Sequence, residues 1–277
     1  MAYSAAISRA TPTAFMFLID QSGSMEEKME TGSTKAQFVA DVLNKTLYEL
    51  IIRCTTADGV RNYFEICVLA YGGAGVHSGF AGELANNLIY PISNIEAHPL
   101  RLEERTKRVS DGAGGLADQT VKFPVWFDPV SSGGTPMCEG FRKAAEILVG
   151  WCDAHSESYP PTIIHVTDGQ STDGDPEQIG EMIKKITTHD GECLLFNLHI
   201  DTSGAAAVIF PSSEGPLPDA NSKLLFRMSS GFPSHLIKPA ADKGYSVSNE
   251  SRFFGYKAGY EGIVDFFDIG TRASNLR

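Results

Sequence analysis

The chain has 277 residues, 42% hydrophobic and 21% charged, an ordinary balance for a folded protein with room for one large α/β domain. Its formal charge of −11 argues against nucleic acid and anionic membranes as partners, and no apolar run in the sequence is long enough to span a bilayer. The five cysteines, Cys54, Cys67, Cys138, Cys152 and Cys193, are odd in number and lack Cys-x-x-Cys spacing, which suggests neither a zinc site nor a regular disulfide framework. With no signal peptide visible, the expectation is a reduced, cytoplasmic protein.

The first apolar run, Phe15 to Ile19, reads as a buried strand and ends in Asp20-Gln21-Ser22-Gly23-Ser24. Thr34 and Gln37 have capping-box spacing, and Ala36, Val39, Leu43, Leu47, Leu50 and Ile51 follow at helical intervals, which predicts a helix to about Arg53. Tyr63 to Tyr71 is a second strand, closed by the turn Gly72-Gly73-Ala74-Gly75. From about 79 to 130 the chain reads as an insertion. It holds two strand-like pieces, Leu88 to Ile92 and Val121 to Phe127. Between them lie a basic segment, Arg101 to Arg108, read as a solvated helix face, and a glycine-rich run, 111–115, read as mobile. Trp126 has two readings, an indole covered by the insertion or an exposed interface anchor.

Gly133-Gly134-Thr135-Pro136 is a loop that opens a helix carrying Phe141, Ala144, Ala145, Leu148 and Val149. Pro161 to Thr167 is a further buried strand, ending in Asp168-Gly169. Asp175-Pro176 caps the next helix, and Leu194 to Ile200 is a buried strand. The part from about 202 to 277 is less regular, with a short helix at Leu224 to Met228, a strand at Phe253 to Tyr256 and a closing helix at Ile263 to Ile269. Strands and helices alternate, which predicts a single α/β domain over 1–277, built on a doubly wound, mainly parallel sheet with helices on both faces.

Asp20, Ser22, Ser24, Thr135 and Asp168 would then meet at the carboxyl edge of that sheet, supplying oxygen ligands from three loops. A hard divalent ion takes such a set. Taken singly, the serines are also hydroxyl turns, Thr135 is an N-cap before Pro136, and Asp168-Gly169 is a turn after a strand. His165 and His199 lie inside strands and read as packed, hydrogen-bonded imidazoles.

With these five residues in this order, the chain resembles the von Willebrand factor type A (VWA) family, whose metal-ion-dependent adhesion site is Asp-x-Ser-x-Ser, a distant Thr and a distant Asp. The resemblance implies a Rossmann-like fold and a metal ion held by Asp20, Ser22, Ser24, Thr135 and Asp168. It implies Mg²⁺, with Mn²⁺ or Ca²⁺ as alternatives, and a protein partner whose Asp or Glu carboxylate completes the ion's shell. The implied role is an adaptor or scaffold rather than an enzyme. The overall likeness is to stand-alone cytoplasmic bacterial members of the tellurite-resistance and stress-response kind, and the insertion at about 79–130 departs from the family outline. A haloacid-dehalogenase-like phosphatase is the rival, opposed by Ser22, which stands where that chemistry needs a second carboxylate. A structural scaffold with a vestigial metal site is the third reading.

Overall fold

The computed structural model describes residues 3–29, 32–110, 116–201, 206–272 and 276. The glycine-rich run 111–115, expected to be mobile, lies outside them. Strand β1 (Thr13–Gln21) is buried along its whole length, as a strand covered on both faces must be. Helix α1 (Lys35–Cys54) starts where the Thr34 hydroxyl accepts the Gln37 amide at 3.1 Å. A small ladder of β2 (Thr55–Thr56) and β3 (Gly59–Val60) leads into β4 (Phe64–Gly72), β5 (Gly75–Ser78), β6 (Ile89–Pro91) and helix α2 (Ile92–Ala97). A hairpin of β7 (Arg101–Ser110) and β8 (Leu116–Val125) follows, then α3 (Met137–Ala154), β9 (Thr162–Thr167) and α4 (Glu177–Ile183). After a second small ladder, β10 (Thr187–Thr188) with β11 (Gly191–Glu192), come β12 (Leu194–His199), β13 (Val208–Ile209), α5 (Ala220–Met228), α6 (Ser234–Asp242), β14 (Phe254–Tyr256) and α7 (Tyr260–Gly270).

The main sheet has eight strands in the order β13-β14-β12-β9-β1-β4-β5, with β6 also on β4. Strand β1 pairs parallel with β4 and β9, and β12 pairs parallel with β9 and β14. Both edges reverse: β5 and β6 run antiparallel to β4, and β13 antiparallel to β14. The expected doubly wound, mainly parallel, Rossmann-like sheet is therefore corrected to a mixed sheet. The physical reason lies in two places. Gly75, at φ +76°, closes a tight turn that sends β5 back along Leu69–Gly72 of β4. Strand β6, read as part of an insertion, pairs with Glu65–Cys67 farther along the same edge.

Side chains of β1 alternate between two cores. Phe15, Phe17 and Ile19 pack with residues of α1, α2 and α7, among them Leu43, Leu47, Ile92 and Phe266. Met16 and Leu18 pack on the opposite face with residues of α3, α4 and α5, among them Phe141, Leu148, Ile183 and Leu225. One polar chain crosses this second core. The Tyr71 hydroxyl meets His165 Nε2 at 2.7 Å, His165 Nδ1 meets Asn197 Oδ1 at 2.8 Å, and Asn197 Nδ2 donates to Ser229 Oγ at 2.9 Å. Burial pushes His165 down to about 4, against the hydrogen bond with Asn197, so the ring is neutral and fully partnered at physiological pH.

The basic segment is not a helix face. Arg101 to Arg108 lies in β7, where Arg105 stacks 4.1 Å over the Phe123 ring and pairs with Glu103 and Asp41. Trp126 is 2% exposed, and its indole N–H donates to the Ile95 carbonyl. Asn44 holds the adjoining backbone by accepting the Trp126 and Phe127 amides at 2.8 and 3.0 Å and donating to the Phe127 carbonyl at 2.8 Å. Of the two readings of Trp126, the covered indole is the one observed.

Candidate functional site

Strand β1 lies between β4 and β9, and the predicted residues stand just past the carboxyl ends of β1 and β9 and in the loop before α3. Ile19 pairs with Val166, so one further step in the parallel register sets Thr167 beside Asp20. Thr167 Oγ1 donates to Asp20 Oδ2 at 2.6 Å, and the Ser22 amide donates to Oδ1 at 2.8 Å. Asp20 is 1% exposed. Burial pushes its pKa up to about 6, the hydrogen bonds from Thr167 and Ser22 act against that rise, and the charge of Asp168 adds to it.

Beyond Asp20 the chain winds into a single 3-10 turn, Gly23–Glu26. This brings Ser22 Oγ and Ser24 Oγ to 3.1 Å from each other, and Ser24 Oγ donates to Asp168 Oδ1 at 2.7 Å. The turn is held against the loop before α3 by Gly23 N–H to Gly133 O at 2.9 Å and Ser132 N–H to Gln21 O at 2.8 Å. Gly133 has φ +67°, and a Cβ there would stand 2.4 Å from Gly73 Cα, so neither conformation nor space admits a side chain. Gly133→Ala is expected to cost about 1–3 kcal/mol, read as a lowered urea midpoint. An unchanged midpoint would show that this loop does not need its close approach.

Thr135, 6% exposed, is fixed by its backbone, donating to Thr172 Oγ1 at 3.0 Å and accepting the Thr172 amide at 2.9 Å. Its hydroxyl has no hydrogen-bond partner among the described residues. That oxygen and Ser24 Oγ each lie 3.9 Å from the point where a side chain on Gly169 would begin. The five predicted residues thus share one cluster. Neighbouring acids are committed elsewhere: Asp173 caps α3 by accepting the Cys138 and Glu139 amides, and Glu177 pairs with Arg227 at 2.6 Å.

A residue absent from the prediction completes the arrangement. Lys35 Nζ lies 2.7 Å from Asp168 Oδ2 and 2.7 Å from Glu27 Oε2, with the lysine side chain 4% exposed and that of Asp168 wholly buried. Burial alone would push the ammonium's pKa down; the hydrogen bonds to Asp168 and Glu27 outweigh it and hold the group above the ordinary lysine value. Its local signal was a lysine at the first position of a helix, the end where the dipole disfavours a cation. Thr167 was also missed, although the parallel register places it, not Asp168, next to Asp20.

Among the described residues no group of three or more His, Cys, Asp and Glu could hold a metal ion. The donors here are two carboxylates and three hydroxyls. That set suits a hard cation, and the 3.1 Å between the serine oxygens matches adjacent ligands of an octahedron with bonds of about 2.1 Å, whose edge is about 3.0 Å.

No family model and no curated protein matches the chain. Among solved structures it is similar to the pilus adhesin SpaC of Lactobacillus rhamnosus GG, with 13% identity over 94% of this chain and 30% of that one, at a TM-score of 0.48. It is also similar to the minor pilin PilB of Streptococcus sanguinis, with 10% identity over 94% of this chain and 60% of that one, at 0.41. The vWF domain of the type V pili tip protein Mfa5 of Porphyromonas gingivalis gives 18% identity over 58% of this chain and 39% of that one, at 0.30. The chain spans less than two thirds of the length of each.

The resemblance to the VWA family is therefore not upheld. No model of any family matches, and the Mfa5 vWF domain covers 58% of the chain at a TM-score of 0.30. The cytoplasmic, tellurite-resistance and stress-response assignments are corrected with it: the structures the chain is similar to are of a pilus adhesin, a pili tip protein and a minor pilin.

Proposed function

We propose that the cluster of Asp20, Ser22, Ser24, Thr135 and Asp168 binds a divalent cation, Mg²⁺ with Mn²⁺ or Ca²⁺ as alternatives, and that the bound ion takes an Asp or Glu carboxylate from a protein partner. One observation carries this reading: three loops bring two buried carboxylates and three hydroxyls together at a strand edge, around a carboxylate whose charge burial disfavours. Ser22, Ser24 and Thr135 would supply neutral oxygens, and Asp20 and Asp168 the negative charge. An ion so held is incompletely neutralised and attracts an external anion. It also gives an acidic chain, at −11, a local means of binding an acidic group.

The role is binding rather than catalysis. Position 22 holds a hydroxyl that transfers no proton near neutral pH, so the phosphatase alternative lacks its acid/base.

Calorimetric titration with MgCl₂ or MnCl₂ tests the reading. Ser24→Ala removes one oxygen ligand and the hydrogen bond to Asp168, and is expected to weaken binding about tenfold or more. Wild-type protein at about 100 times its dissociation constant should gain about 2.7 kcal/mol of stability. Equal affinity in wild type and variant removes the site; no binding in either leaves the cluster a polar element of the fold. Affinity capture with and without chelator then asks whether the partner depends on the ion.

A further inference from the structure

The cluster already contains a cation, tethered to α1. Lys35 is buried, its backbone amide donates to the Glu27 carbonyl at 2.9 Å, and its ammonium spans Asp168 Oδ2 and Glu27 Oε2 at equal distances. Ser24 donates to the other oxygen of the same Asp168 carboxylate. A divalent ion beside Ser22 and Ser24 would therefore share Asp168 with an ammonium, and two cations on one buried carboxylate repel strongly. Glu27 offers the ammonium a way out. Its side chain is 58% exposed and already within bonding distance, so Lys35 can release Asp168 while keeping a hydrogen-bonded carboxylate.

We infer that Lys35 is a built-in competitor for the site: its ammonium holds Asp168 when no ion is bound, and must shift toward Glu27 for a divalent cation to enter. The inference rests on the metal-binding reading above and adds to it a determinant of affinity. Occupancy then becomes a balance between the tethered charge and the free ion concentration.

Mn²⁺ titrations on the full chain test it, using wild type, Lys35→Met, Lys35→Gln and Glu27→Gln. Circular dichroism melts with and without metal monitor folding. Lys35→Met removes the competing charge and is expected to bind Mn²⁺ about tenfold more tightly than wild type. Lys35→Gln is also neutral but can donate to Asp168, so it keeps the test available if burying a bare Asp168 prevents Lys35→Met from folding. Glu27→Gln weakens the alternative acceptor and should lower Mn²⁺ affinity. Binding by the neutral lysine variants alone would also support the inference, as a site that the ammonium closes. Equal or weaker Mn²⁺ affinity in those variants, with wild type binding, overturns the role of Lys35 and leaves the metal reading intact. Failure of every folded variant and of wild type to bind overturns both.

Discussion

Asp20→Asn is expected to lower divalent cation affinity roughly 100-fold or more and, in chelator, to make the protein more stable at neutral pH. The two effects have one cause. Burial raises the Asp20 pKa from 3.8 to about 6, so the folded state disfavours the carboxylate that an ion would need. Because the folded value lies above the unfolded one, this group's contribution to stability is fully present below about pH 3.8 and is lost as pH rises through about 6. A shift of about two units corresponds to about 3 kcal/mol. Asparagine removes that cost but disturbs the Thr167 hydroxyl, which now donates to Asp20 Oδ2. A net gain of about 1–2 kcal/mol, or roughly 2–8 °C, is expected at about pH 7.5, shrinking toward zero near pH 4. Melts in chelator at both pH values, beside a Mn²⁺ titration, check it. A variant that is less stable at neutral pH, or that still binds metal like wild type, contradicts the assignment.

Trp126→Ala is expected to cost about 3–5 kcal/mol without changing metal affinity under conditions where the variant is folded. The indole is buried in the core shared with α1 and α2, its loss leaves a cavity, and the Ile95 carbonyl loses its donor. Trp126→Phe, which keeps an aromatic ring but no N–H, should cost only about 1–3 kcal/mol. Urea denaturation measures both. A loss below about 1 kcal/mol for the alanine variant would place the indole outside the core and restore the surface-anchor reading.

The parts of the fold that were legible in the sequence are those with a strong local pattern. Phe15 to Ile19 is continuously apolar because β1 is covered on both faces, and the oxygen-bearing residues that follow fall at its carboxyl end. Thr34 and Gln37 mark the start of α1 because the cap is a contact between near neighbours. Strand β7 gave no such pattern. Arg101 and Glu104 are exposed, and what orders the strand is pairing with β8, as where Arg105 covers Phe123. Helix α6 was hidden by Pro239 inside it. The mixed character of the sheet depended on a tight turn at Gly73-Ala74 that read as a loop. At the site, the five oxygens could be named from residue type and position. The Lys35 pairing could not, since Asp168 is 133 residues away and only the packing of α1 against the strand edge brings them together.

Anomalous diffraction from crystals grown with MnCl₂ tests most directly whether a divalent ion sits among these side chains. The expected result is a manganese peak within about 2.5 Å of Ser22 Oγ and Ser24 Oγ, with Lys35 Nζ moved off Asp168 and onto Glu27. No peak at the cluster at an Mn²⁺ concentration that saturates the protein in solution, with Lys35 Nζ still 2.7 Å from Asp168 Oδ2, would contradict it.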